Sequence, residues 1–346
     1  MLQLVVPGLF NSIHALSAAR QNSYPALAML LARGRHQPLE DKCVEDLICR
    51  QFGISRETDW PIAAITCAFD DGRPGNDYWL RTDPVHIHVH RDKLILTDDL
   101  TLTTDEAQAF CDALARHFGE VLAPRPLQPD RWYIRVAEDP QIRTAPLSQA
   151  LGKHIDPLLP QGPGAMHWRK LMNEAQMLLF THPLNQDRES RGLPTVNSLW
   201  PWGGGTLPAV PDTPGNIEFY GHDFTYRALA KFSGVEVHSL PDEWSARMKS
   251  NALCLIDQLS RHWQRNDLTG LESALSKLDT GWIKHLIQSS TAFRIDDPSE
   301  KVSVLWHALD RWKFWRRPEF ATQPEPNFRP AMAETRPEID EFGNRP

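Results

Sequence analysis

The segment HPLNQDRESRGLPTVNSLWPWGGG (residues 182–205) decides how the rest of the chain is read. It holds His182, Asn185, Arg188, Arg191 and Asn197, and closes on Gly203, Gly204 and Gly205. Guanidinium forks and side-chain amides hydrogen-bond anions, and consecutive glycines let a backbone come close to one. The competing reading is that the same groups satisfy backbone carbonyls and stiffen a long connection. The residues alone do not separate the two.

On both sides of this segment, short apolar runs alternate with helical spacing. Residues 2–6 form a strand stopped by Pro7-Gly8, and residues 24–32 a helix with Gly34 as its stop. Residues 39–52 have helical spacing. The run PIAAITCAF (61–69) is apolar throughout, which predicts a strand covered on both faces. Residues 70–77 read as a turn-rich loop, and 85–96 as one or two half-exposed strands. Thr103 and Thr104 open an Ala-rich helix to Phe118, with Glu106 placed for a capping box. Further along come a strand at 131–136, a helix at 168–177 and a short strand at 178–180. A helix at 224–232, strands at 235–240 and 253–257, a long helical stretch at 268–287 and a strand or helix at 302–309 complete the pattern. The prediction is an α/β protein whose mainly parallel sheet is flanked by helices. Its core is discontinuous, 1–75 and 165–318, with a smaller inserted or linking region at 76–164. A polar, Pro-rich flexible tail follows at 319–346.

The chain has 346 residues, 41% hydrophobic and 23% charged, enough for a large folded core. A net charge of −7 argues against nucleic acid as a partner. The one compact basic cluster, RWKFWRR (311–317), interleaves aromatics and reads more readily as a partly buried amphipathic helix. Five cysteines without a CxxC pair, no leader-like start and no long apolar run place the expected home in the cytoplasm, away from membranes.

The spelling His182-Pro183-Leu184-Asn185, Arg188, Gly192-Leu193-Pro194, Asn197 and then Gly203 to Gly205 resembles archaeal-type cofactor-independent phosphoglycerate mutases of the alkaline phosphatase superfamily. The helix before Gly34 and the run from Tyr226 to Val235 extend the likeness. Trp79-Leu80-Arg81-Thr82-Asp83-Pro84-Val85-His86 and the WPWGGG run are similar to the bacterial RpfE-type regulatory proteins, a likeness that reaches to about residue 320. The resemblance implies an alkaline-phosphatase-like core. It also implies two divalent metals (manganese or zinc) that activate a serine and stabilise a transferring phosphoryl group. Those metals need an Asp at the end of the first strand, an Asp beside the serine and a late Asp/His cluster. Here the first strand ends Val5-Val6-Pro7-Gly8. The nucleophile region reads Lys42-Cys43-Val44-Glu45-Asp46. Asp257 is followed by Gln258-Leu259-Ser260-Arg261-His262-Trp263.

Three missing ligand sets predict a catalytically degenerate mutase-like protein that needs no cofactor. Its expected role is regulatory or small-anion-binding, and a protein partner is also compatible with it. Two alternatives follow. One is an active metal-dependent mutase or phosphatase using Asp83, His86, His88 and Asp257. The other is a protein-interaction module working through 12 tryptophans. His86, His88 and His90 share one strand face by alternation and could chelate a metal with Asp83 nearby, although facing water is the simpler reading. Asp70, Asp71 and Asp77 read as a solvated turn and not a calcium loop. Cys43 reads as an inert thiol.

Overall fold

The computed structural model describes residues 1–20, 23–70, 72–97, 100–212, 217–289 and 291–316. The expected tail at 319–346, Arg317 and Asp71 lie outside the described residues. In chain order the strands are β1 (Leu2–Val5), β2 (Arg35–Pro38), β3 (Tyr78–His90), β4 (Lys93–Thr97), β5 (Arg125–Gln128), β6 (Arg131–Val136), β7 (Ser198–Gly205), β8 (Glu218–Tyr220), β9 (Glu236–His238), β10 (Ala252–Leu255), β11 (Phe293–Asp297) and β12 (Val302–Trp306). The helices are α1 (Leu9–Arg20), α2 (Pro25–Arg33), α3 (Val44–Gln51), α4 (Ile62–Phe69), α5 (Thr104–Phe118), α6 (Leu147–Ala150), α7 (Ala165–Phe180), α8 (Pro183–Ser190), α9 (Phe224–Phe232), α10 (Gln258–Gln264), α11 (Leu268–Lys277) and α12 (Lys284–Gln288).

The larger sheet runs β2-β12-β11-β1-β10-β8-β9. β11, β1, β10, β8 and β9 are parallel, and β12 and β2 add an antiparallel edge. Its central strands are apolar without a break because both faces are covered. Leu2, Leu4, Ala252 and Cys254 point to one core with α1, α2 and α11, while Val5, Leu253 and Leu255 point to another with α3 and α9. The protein is therefore mixed α/β with a mostly parallel sheet flanked by helices, as its pattern predicts.

The second sheet is antiparallel, β4-β3-β6-β5, with β7 pairing the first half of β3. Its outer face packs on α5 and α7 through Phe110, Leu114, Trp132, Ala175, Leu179 and Leu199. α5 opens with the expected capping box, in which Thr103 and Glu106 exchange bonds with each other's amides. Because β7 belongs to this sheet and α7 packs on it, the smaller layer reaches residue 205. The inserted region was expected to stop at 164.

Residues 61–69 are a helix, not the expected buried strand. α4 lies between the two sheets. Ile62 and Ile65 face the larger sheet's core, and Ala63, Ala64 and Cys67 face Trp79 and Tyr133 of the second. A helix walled in on two sides has no polar stripe, so its sequence is as apolar as a central strand. Two further expectations change, and the strand-or-helix choice at 302–309 resolves to a strand. Residues 178–180 continue α7 and form no strand. Residues 302–306 are strand β12. The 311–316 cluster is not a buried helix: Trp312, Phe314 and Trp315 are exposed. Most tryptophans are instead core: Trp79, Trp132, Trp168, Trp200, Trp202, Trp282 and Trp306 are all buried. Among the described residues no helix is long and apolar enough to cross a membrane.

The close approach of β7 to α4 depends on glycine. A Cβ on Gly205 would stand 2.7 Å from Pro61 Cβ and 2.9 Å from Pro61 Cα, and one on Gly204 would stand 2.6 Å from the Tyr78 hydroxyl. Gly205→Ala must push α4 away from the second sheet and is expected to cost about 1–3 kcal/mol. A urea-denaturation midpoint equal to wild type would contradict this packing.

Candidate functional site

Four parallel strands, β1, β8, β10 and β11, end at one rim, and ligands of open α/β sheets bind at such carboxyl ends. The rim borders a cleft of about 1300 Å³. Its floor holds Pro7 and Gly8 after β1, Asp223 after β8, Asp257 after β10, and Ser299 and Glu300 after β11. The opposite wall comes from the start of α3 (Lys42, Cys43, Glu45), from the second sheet (Arg81, Asp83, Arg131, Trp202) and from the stretch around α6 (Ser148, Lys153). The segments Pro7-Gly8, Lys42 to Glu45 and Asp257 to Trp263 thus meet in one place.

Asp297, Asp257, Asp223, Glu45 and Asp83 are each compensated within the chain. Asp297, 0% exposed beneath the floor, accepts the Gly8 amide at 3.0 Å on one oxygen and the Phe10 amide at 3.1 Å on the other. It thereby caps the N-terminus of α1, where carboxylates are favoured. Burial still pushes its pKa up to about 6. Asp257 Oδ2 accepts from Arg261 Nη2 at 2.6 Å, and Asp223 Oδ2 stands 3.8 Å from the same nitrogen. Burial holds Asp257 above the usual carboxylate range. Glu45 is buried and accepts from the Tyr226 hydroxyl at 2.7 Å and from Ser148 Oγ at 2.8 Å, and burial raises its pKa too. Asp83 takes both arms of Arg81, at 2.9 and 2.7 Å, and the Trp202 indole at 2.7 Å. The Cys43 thiol is driven well above its ordinary pKa, first by burial and then by the charge of Glu45, the direction opposite to that of an activated thiol.

The cations are treated differently. Among the described residues the ammonium groups of Lys42, Lys93 and Lys153 line the cleft without a side-chain hydrogen bond or ion pair. Lys153 is reached by cleft solvent yet surrounded by protein. That desolvation lowers its pKa, against the opposing pull of Glu300 and Asp297.

The residues of 182–205 lie elsewhere. The stretch folds into α8 and β7, joined by the connection 191–197. His182 caps α8 by accepting the Leu184 amide. Asn185 donates to Leu179 O and Val196 O and accepts the Val196 amide. Asn197 exchanges two bonds with the backbone of Ile87. Arg188, 1% exposed, donates to Pro194 O, Thr101 O and Glu106. Arg191 pairs on the surface with Glu106 and Asp187. Gly203, Gly204 and Gly205 are buried against α4 and Tyr78. None of the eight lines the cleft, and the bonds of Asn185, Arg188, Arg191 and Asn197 go to the chain's own backbone and carboxylates, with Arg188 Nη2 left without a partner. The geometry therefore gives them the stiffening role, not convergence on a ligand.

The proposed metal set does not come together either. Asp83 and His86 differ by an odd number of positions on β3 and so face opposite sides. Asp83 is buried in its ion pair, His86 bonds Thr195 O at 2.9 Å, and His88 is exposed. Asp70, expected in a solvated turn, is buried and held by Arg131 and Tyr133. Among the described residues one group offers three converging metal-type ligands, Glu218, Glu236 and His238. It is not part of the cleft, and Lys249 is 2.7 Å from Glu218. The sequence reading did not pick out Asp297, Asp223 or Lys153. Asp-Asp-Pro after an alternating Phe-Arg-Ile was the available signal for the first.

No family model matches the chain. A 66-residue segment is 39% identical to the 2,3-bisphosphoglycerate-independent phosphoglycerate mutase of Methanothrix thermoacetophila, covering 19% of this chain and 17% of that protein. A 59-residue segment is 40% identical to a protein of Geobacter sulfurreducens named "Probable 2,3-bisphosphoglycerate-independent phosphoglycerate mutase", covering 17% and 15%. The matches thus span less than a fifth of either relative, and over them the chain is homologous to these mutases. Among solved structures, the PH0037 protein of Pyrococcus horikoshii aligns with TM-score 0.43 and 13% identity over 88% of this chain and 87% of that one. A cofactor-independent phosphoglycerate mutase of Thermoplasma acidophilum aligns with TM-score 0.37 and 15% identity over 89% and 90%.

Two predictions follow from these geometries. Arg188→Met breaks a buried ion pair and strands two carbonyls, so unfolding free energy should fall by about 3 kcal/mol. Unchanged stability together with a lost response to added phosphate would instead make Arg188 a ligand residue. Asp297 binds its proton more tightly when folded, with a pKa of about 6 against 3.8 unfolded. Its contribution is therefore most favourable below about pH 4 and is lost as pH rises through about 6, on the order of 3 kcal/mol. Wild type should lose stability relative to Asp297→Asn across that window in paired urea titrations. A difference that does not change with pH would refute the assignment.

Proposed function

We propose that this chain is a catalytically degenerate relative of 2,3-bisphosphoglycerate-independent phosphoglycerate mutases, built on an alkaline-phosphatase-like framework. On this reading it binds a small anionic metabolite in the cleft and serves a regulatory role of the RpfE type. The observation that carries the reading is the charge balance of the cleft. Asp297, Asp257, Glu45 and Asp83 are closed off by backbone amides, hydroxyls and arginines, while the ammonium groups of Lys42 and Lys153 make no hydrogen bond or ion pair among the described residues.

A pair of metal ions does not fit the residues present. Pro7 has no ligand atom, both Asp297 oxygens hold backbone amides, and Asp257 is occupied by Arg261. The stretch Lys42 to Asp46, near which the resemblance asks for a serine beside an aspartate, holds no such pair. Without metals the main stabilisation of a transferring phosphoryl group is gone, and one arginine is a poor substitute. The second reading, an active metal-dependent mutase or phosphatase, is favoured by one observation, the approach of Asp223 and Asp257 at neighbouring strand ends. It requires Arg261 to leave.

The test is thermal unfolding with added inorganic phosphate. Saturating phosphate should raise the Tm by about 2–4 °C, and Lys153→Gln should abolish the rise while melting normally without phosphate. Absence of any shift in wild type would refute the anion-binding role. Turnover of 3-phosphoglycerate with manganese would favour the second reading.

A further inference from the structure

The acid pair on the cleft floor has an unusual neighbour. Asp257 ends β10 and Asp223 follows β8, the next strand in the sheet, so parallel pairing carries both carboxylates to the same rim. Arg261 lies four residues after Asp257, one turn into α10, and helical periodicity folds its side chain back over the pair. Its Nη2 is 2.6 Å from Asp257 Oδ2 and 3.8 Å from Asp223 Oδ2. The other Asp223 oxygen is committed to the Thr225 amide at 2.8 Å. One guanidinium nitrogen therefore stands between carboxylates of two adjacent strands, a position suited to a bridging cation.

We infer that Arg261 is a built-in replacement for a divalent cation, supplied by the chain itself at the dicarboxylate of Asp223 and Asp257. The inference rests on the degenerate reading above and explains how the cleft floor keeps its shape without metal. A guanidinium supplies positive charge and directed donors but has no open coordination position. It can hold the two strand ends together. It cannot coordinate a water or hydroxyl oxygen, and so lacks the strong activation that a metal gives a nucleophile. Arg261 is half exposed, with 51% of its side-chain surface accessible, so its removal opens the pair to solvent ions without excavating the core.

The consequence is a latent metal site. Manganese binding is measured by calorimetry and by the Mn2+ electron paramagnetic resonance signal on wild type, Arg261→Gln and the double variant Asp257→Asn/Arg261→Gln. Arg261→Gln should gain about one Mn2+ per chain with a dissociation constant of about 0.1–1 mM, the range of weak carboxylate sites. Wild type and the double variant should bind at least about tenfold more weakly. Mn2+ should also raise the Tm of Arg261→Gln alone. A variant that fails to fold without metal must recover its fold on adding Mn2+, and failure to do so overturns the inference. A folded Arg261→Gln that gains no Mn2+ overturns the inference and leaves the degenerate reading standing. Tight binding of two Mn2+ by wild type overturns the degenerate reading itself.

Discussion

Parallel strands that end side by side gather their carboxylates at one rim, and a buried carboxylate must find donors or a counter-charge. This constraint governs the cleft. Asp297 finds the amides that open α1, Asp257 and Asp223 find Arg261, Glu45 finds two hydroxyls, and Asp83 finds Arg81. Each solution fixes an element as well as a charge. Asp297 ties β11 to the β1–α1 turn across 289 residues of sequence, and Glu45 ties α3 to α9. These acids act as struts, while the ammonium groups of Lys42 and Lys153 line the cleft without an ion pair among the described residues.

The second sheet is the other half of the site. Its wall is rigid because α4 is clamped between both sheets and because Arg81 sits between aromatic rings, 5.5 Å from the centre of Tyr133 and 4.9 Å from that of Trp202. Trp202 donates to the same Asp83 that holds Arg81, so the buried ion pair has few unmet bonds and a defined orientation. The tryptophans that looked like an interaction surface are mostly this wall and its backing. Trp312 and Trp315 are the exposed ones, at the C-terminal end of the described chain.

Local physics was legible in the sequence wherever an element's environment was one-sided or its ends were marked. The capping box of α5, the Pro-Gly stop after β1 and the helix before Gly34 were all readable. So was the overall alternation that makes the sheet mainly parallel. α4 was not, because a helix walled in on both sides has the composition of a central strand. The 182–205 segment was the instructive case. Its residue types suit an anion, but which carbonyls Arg188 and Asn185 would meet depends on Thr101, Val196 and Leu179, which only the tertiary fold brings near. For the same reason, the sequence of Lys42 to Asp46 and of the stretch after Asp257 gave residue types and not positions. It could not show that Arg261 would lie across the carboxylates.

The central claim is that this inherited-looking framework holds its strand-end acids closed to divalent cations while keeping cationic side chains open to an anion. The most direct measurement is anomalous diffraction from crystals of the wild-type protein grown with manganese and inorganic phosphate. The account predicts phosphate density beside Lys153 and no manganese peak in contact with Asp223, Asp257 or Asp297. A pair of manganese peaks bound by those carboxylates, with Arg261 swung aside, would contradict it.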